Sequence, residues 1–140
     1  MKTQKTIALV EGYVYANYHV EKDVLVVVAF GKRADYSIEN HIVSIEAYQR
    51  VKKVCVELGL KKMLIVSEVL GRIFITELKA MKDHIMRIDP SVSKGIKVVL
   101  VDTNYGSYLD NLFVEQTVIS KGVEFRVFHD EAKGREWIGL

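Results

Sequence analysis

Apolar positions along this chain switch between two periods, and the alternation predicts its elements. Residues 13–20 and 24–30 are rich in β-branched and aromatic side chains and are separated by the polar Glu21, Lys22 and Asp23, which predicts a β-hairpin. In the first run Val14, Ala16, Tyr18 and Val20 alternate with Tyr13, Tyr15, Asn17 and His19, giving one more apolar face and one mixed face. The second run is apolar on both faces, as an interior strand covered on both sides requires.

Beyond Gly31 the chain is polar through Asn40, and then the period lengthens. Ser44 is placed to cap a helix in which Ile45, Tyr48, Val51, Val54, Cys55 and Leu58 recur at helical spacing and which Gly59 ends; Lys52, Lys53 and Glu57 fall on its other, wet side. A short strand over 63–66 is followed by a turn-like segment through Gly71. A helix over about 76–88 comes next, burying Leu78, Met81, Ile85 and Ile88 until Asp89 and Pro90 stop it. Residues 96–101 read as a buried strand. A helix over about 107–120 then turns Leu109, Leu112, Phe113 and Ile119 inward, and 123–128 form a last strand. Asp130 caps a terminal helix that contains Trp137 and Ile138.

These elements predict an α/β fold: a mixed sheet of about five strands that opens with a hairpin, its later strands parallel through right-handed crossovers, covered by about four helices. At 140 residues the chain fits a single domain that buries roughly two thirds of the surface of its unfolded form. One proline and nine glycines, with 49% hydrophobic and 27% charged residues, leave little room for a linker.

Charge narrows the partners. Twenty basic against 18 acidic residues give a net charge of +2, too balanced for the field of a nonspecific nucleic-acid binder, so no nucleic acid is expected. The cluster Arg50, Lys52, Lys53, Lys61 and Lys62 lacks interleaved aromatics and reads as a solvated face. Cys55, the lone cysteine, cannot close an intrachain disulfide and sits among apolar neighbours, which fits a reducing, cytoplasmic setting. Neither a secretory signal nor a membrane span is expected, since no apolar run is long enough.

The search for chemistry yields little. Gly31, Gly71 and Gly106 are isolated and mark turns rather than a phosphate-cradling loop. His19, His41, His84 and His129 are scattered and offer no metal-ligand spacing. There is no nucleophile elbow, and Cys55 lies in an apolar stripe where a thiol acts as a small hydrophobe. Neither cofactor nor catalytic residue is expected. Glu68 and Asp102 each follow an apolar strand, where open α/β sheets usually bind ligands, and with His129 they form the least favoured alternative, an enzyme whose acidic and imidazole groups converge in a cleft.

The opening hairpin, the strand over 63–66, the helix near Thr76 and the ending Val127, Phe128, His129, Asp130, Glu131, Ala132 through Trp137 together resemble the SpoIIAA-like branch of the STAS superfamily, over nearly the whole chain as one domain. The resemblance implies a bacterial, noncatalytic regulatory or protein-interaction module. Anti-sigma-factor antagonists of that superfamily carry a phosphorylatable serine or threonine opening the helix after the third strand, and the matching residue here is Thr76. No aspartate precedes it and no glycine follows, and a plain helix cap is the favoured account of it. A phosphate there would add about −1.5 to −2 charge at a helix N-terminus, with Arg72 as counter-ion; Ser67, read as part of the preceding loop, is the alternative.

The branch is also similar in fold to CRAL-TRIO-type lipid-transfer domains, which hold an apolar ligand between sheet and helices. That similarity implies a second function, a carrier or sensor of a small apolar or lipidic ligand, with access near Phe74 and the loop 102–105 that holds Asp102 and Tyr105. Ile73, Phe74 and Ile75 form the consecutive apolar run that would serve it, or else a buried core corner. A protein partner is expected at the segment 67–76, and a homodimer through tyrosines on the mixed face of the first predicted strand.

Overall fold

The period-two runs become strands and the longer-period runs become helices, with one strand more than the pattern announces. The computed structural model describes residues 5–32, 40–71, 75–91 and 93–140. In chain order they form β1 (Lys5–Val10), β2 (Val14–Glu21), β3 (Val24–Lys32), α1 (Asn40–Glu57), β4 (Lys62–Leu70), α2 (Ile75–Arg87), a single 3₁₀ turn (Ser93–Gly95), β5 (Lys97–Asp102), α3 (Tyr105–Ser120), β6 (Phe125–Phe128) and α4 (Glu131–Ile138).

The six strands lie side by side in chain order. β1 to β3 form an antiparallel meander, and β3 through β6 run parallel. The predicted hairpin is the pair β2 and β3, in which Glu21 faces Val24 across Lys22 and Asp23. Gly31 is fixed by its surroundings: its φ is +118°, and a Cβ there would stand 2.0 Å from the Tyr13 carbonyl oxygen, which no other residue tolerates.

Strand order explains the layers. Each parallel crossover steps the same way along the sheet, and right-handed crossovers of one direction deliver their helices to one face. That face carries Leu25, Val27, Met63, Ile65, Val98 and Val127, packed with Ala47, Val51 and Cys55 of α1, while Ile45 of α1, Met81 of α2 and Val114 of α3 join the helices to one another. The other face, with Val24, Val26, Leu64, Val66, Val99 and Val101, is packed by Ile138 of α4. α4 seats closely because Gly134 has no side chain; a Cβ there would meet Val101 Cγ2 at 2.7 Å and Val99 Cγ1 at 3.0 Å. Asp130 caps it as predicted, its carboxylate accepting from the Ala132 amide at 2.8 Å.

Four expectations need correction. α1 begins at Asn40, so Ser44 lies inside the helix rather than capping it. β4 continues to Leu70, which places Ser67 within a strand and not in a loop. Leu58, just past the end of α1, is exposed. The largest change concerns α3: Leu109, Phe113 and Ile119 are 46%, 47% and 37% exposed, whereas Ser107, Asp110, Val114, Glu115 and Thr117 are buried. Polar anchoring sets this rotation. Asn111 donates to the Asp102 carboxylate at 2.9 Å, and Glu115 accepts from the Val127 amide of the edge strand β6 at 2.6 Å, so the polar side of the helix is the one drawn inward.

Candidate functional site

An apolar cavity of about 230 Å³ lies between the sheet and α1, α2 and α3. Its floor includes Val27, Ile65 and Leu100, and its roof includes Tyr48, Met81 and Val114. A space of roughly 150 Å³ already suffices for a dry apolar cavity to take up benzene, so this one is of ligand size. The architecture accounts for it: three helices must roof a face six strands wide, and the side chains they send down do not fill the span.

Polar groups punctuate the wall at two places. Towards the C-terminal strand ends are Ser67 and Asn111. Towards the N-terminal strand ends, Tyr48 and Ser93 line the space. The Tyr48 hydroxyl is closed off from solvent and has no hydrogen-bond partner among the described residues; burial, with Cys55 adding to it, holds this phenol far above its ordinary range of ionisation. Beside it Lys52, one turn further along α1, is buried and donates to Ser93 Oγ at 2.7 Å. Its ammonium also lies 5.7 Å from the centre of the Tyr48 ring, and burial lowers its proton affinity. Lys52 is thus not part of the solvated face that its neighbours in sequence suggested. Arg50 and Lys62 do sit outside, the first donating to the Ala8 carbonyl oxygen at 3.1 Å and the second 3.3 Å from Asp23. Cys55 is fully buried, its thiol 3.4 Å from the Leu60 carbonyl oxygen, and burial pushes its pKa up, so it packs as a small hydrophobe.

The strand ends expected to bind a ligand are arranged differently. Strand order never reverses along the parallel part of the sheet, so the crevice that doubly wound sheets open at a switch point does not arise. Asp102 is 1% exposed, and its two carboxylate oxygens accept from the Asn104 amide at 3.1 Å and from Asn111 Nδ2 at 2.9 Å. Tyr105, the first residue of α3, is 61% exposed; its ring lies tilted against Tyr108 and edge-to-face with His129, with centroids 5.9 and 5.4 Å apart. His129 Nδ1 donates to the Asp102 carbonyl oxygen at 3.0 Å. This cluster fastens the start of α3 to the end of β6 and does not line the cavity.

Glu68 follows Ser67 in β4 and so projects from the opposite face of the sheet to Asp102; the trio of Glu68, Asp102 and His129 does not converge. Of the regulatory candidates, Ser67 lines the cavity. Arg72 and Phe74, with Ile73, lie outside the described residues, as does the side chain of Thr76. The backbone of Thr76 is in the first turn of α2, one residue inside its start at Ile75. The expected access point at Phe74 therefore falls outside the described residues, and Asp102 and Tyr105 take no part in the cavity wall.

Sequence reasoning missed Tyr48, Lys52 and Ser93. One signal was present: Tyr48 and Lys52 are spaced i, i+4, so a lysine shares its helix face with a residue assigned to the core. Among the described residues no helix is long and apolar enough to cross a membrane, and no group of three or more His, Cys, Asp or Glu side chains is placed to share a metal ion. The chain matches no protein-family model and no curated protein.

Proposed function

We propose that this protein is a noncatalytic carrier or sensor of a small apolar ligand held between its sheet and helices α1 to α3. The observation that carries the reading is the 230 Å³ apolar cavity. A ligand held there would bind the folded chain and not the unfolded one, so binding and stability are linked. Filling the space from the protein side should have the same effect on stability and the opposite effect on binding. Ala47 of α1 lines the cavity and is buried; Ala47→Leu should raise the unfolding midpoint and abolish the thermal shift that medium-chain alcohols give the native chain. An unshifted native chain, with ligand-free mass spectra after gentle isolation, would refute the reading.

The outer side of α3 favours a second reading, a regulatory module that presents this helix to a protein, in keeping with the STAS-like resemblance. Tyr105, Leu109 and Phe113 succeed one another at i, i+4 spacing and are exposed, and Met86 of α2 is exposed too. Val114 and Val118 on the inner side of the same helix line the cavity, so one rigid element touches both the ligand space and the surface. Phe113→Glu tests this reading: partner capture should be lost with the fold intact, and unchanged capture removes α3 as the surface.

A further inference from the structure

We infer that the outer face of α3 takes an acidic amphipathic helix of a partner protein, seated in the valley between α2 and α3. The inference rests on the second reading above, which makes α3 a surface presented to a protein, and adds the chemistry of what lies on it.

A helix at the surface of a domain normally turns its charged residues to water. In α3 the charged residues are Asp110 and Glu115, and both are buried. The side it exposes carries Tyr105, Leu109 and Phe113 instead. This stripe is not free to exchange with the polar side by rotation, because Glu115 is held inward by the Val127 amide at 2.6 Å.

α2 supplies the other wall and the charge. Lys82 Nζ lies 4.7 Å from the centre of the Phe113 ring, and Met86 Sδ lies 3.9 Å from Ser120 Oγ, so Lys82 and Met86 are on the side of α2 that meets α3. Lys79, three residues before Lys82 and exposed, shares that side. Asp83 stands two positions beyond the buried Met81, about 200° round the helix, and so crowns α2 away from the valley. No described carboxylate is paired with Lys79 or Lys82. The valley therefore has an apolar wall and two ammonium groups along one margin.

A helix laid there would bury its apolar positions against Leu109, Phe113 and Met86. Acidic residues on one of its margins would face Lys79 and Lys82, which sets partner choice and orientation more than affinity. A lipid surface fits less well. Interfacial helices push their apolar face about 5–10 Å into the headgroup boundary, whereas Leu109 and Phe113 are 46% and 47% exposed, each half covered beside a neighbouring helix.

A display library of amphipathic helices tests this, with leucine fixed at the apolar positions and Glu, Lys or Gln allowed elsewhere. It is selected on the intact protein and counter-selected on Phe113→Glu, with Leu109→Gln as a second counter-selection should the first variant lose its native circular dichroism. Glu should enrich along one margin of the selected helices. Lys82→Glu should weaken them about fivefold, and added salt should weaken their binding to the native chain. Enrichment of Lys, or no charge preference among helices that need Phe113, overturns the acidic class and leaves α3 standing as the surface. Absence of any helix that depends on Phe113 or Leu109 overturns both. Binding of phosphatidylglycerol vesicles that Phe113→Glu abolishes, with no helix selected, would assign the face to a membrane and so also overturn the inference.

Discussion

Tyr48→Phe removes one oxygen atom and should make the ligand-free protein more stable. The hydroxyl is excluded from solvent and has no partner among the described residues, so folding strips its hydration without replacing it. That omission costs about 1–3 kcal/mol for a buried unsatisfied group. Phenylalanine keeps the ring, and with it the contacts that Tyr48 makes with the apolar core, so no cavity term opposes the gain. A net stabilisation of about 1–2 kcal/mol follows, which for a chain of 140 residues corresponds to a rise in Tm of about 3–7 °C. Urea titration followed by far-UV circular dichroism, and in parallel by the fluorescence of Trp137 in α4, would give the midpoint from two parts of the fold; an unchanged slope would show that the unfolded state is unaffected. Destabilisation by 1 kcal/mol or more would refute the reasoning, because it would mean that the hydroxyl makes a favourable bond in the empty protein.

Lys52 has a pH signature. Burial lowers its folded-state pKa below the ordinary 10.5, so the unfolded chain binds the proton more tightly, and stability contributed by this group rises with pH between the two values. Tyr48, whose ionisation is raised, pulls the other way in the same alkaline range, so the comparison must be between native protein and Lys52→Met. The variant's stability advantage should be largest near neutral pH and shrink towards pH 10.5; an advantage that grows with pH would contradict the assignment. A further test concerns how α4 is seated: Gly134→Ala forces a methyl to within 2.7 Å of Val101 Cγ2 and should cost about 1–3 kcal/mol by overpacking, seen as a lower urea midpoint with the Trp137 signal perturbed in the native baseline.

The sequence was a good guide wherever one periodicity dominated. β3 is apolar on both faces because it is interior and covered on both sides, and its pattern says so. β1 escaped notice because Lys5, Thr6 and Ala8 dilute a short run, and an edge strand needs only one buried face. α3 was legible as a helix but not in its rotation. Leu109 and Phe113 look like a core stripe, and what buries the other side is a set of hydrogen bonds to Asp102 and to the edge of β6, which exist only once distant strands have come together. Lys52 was misread for a similar reason, since its burial depends on Ser93, 41 positions away. The cavity had no signal in the residue pattern, only in the resemblance to domains that hold an apolar ligand: an apolar pattern records which side chains face inward, not whether their volumes fill the space they enclose.

The central claim is that the space beneath α1, α2 and α3 admits an apolar chain, and methyl-resolved NMR during decanol titration tests it most directly. Saturable shifts should appear at Ile65, Met81 and Val114, which line the space, while Leu64, Val66 and Val99 beneath α4 stay still. Shifts confined to Leu109 and the outer face of α3, or no saturable shift at the lining methyls, would contradict the account.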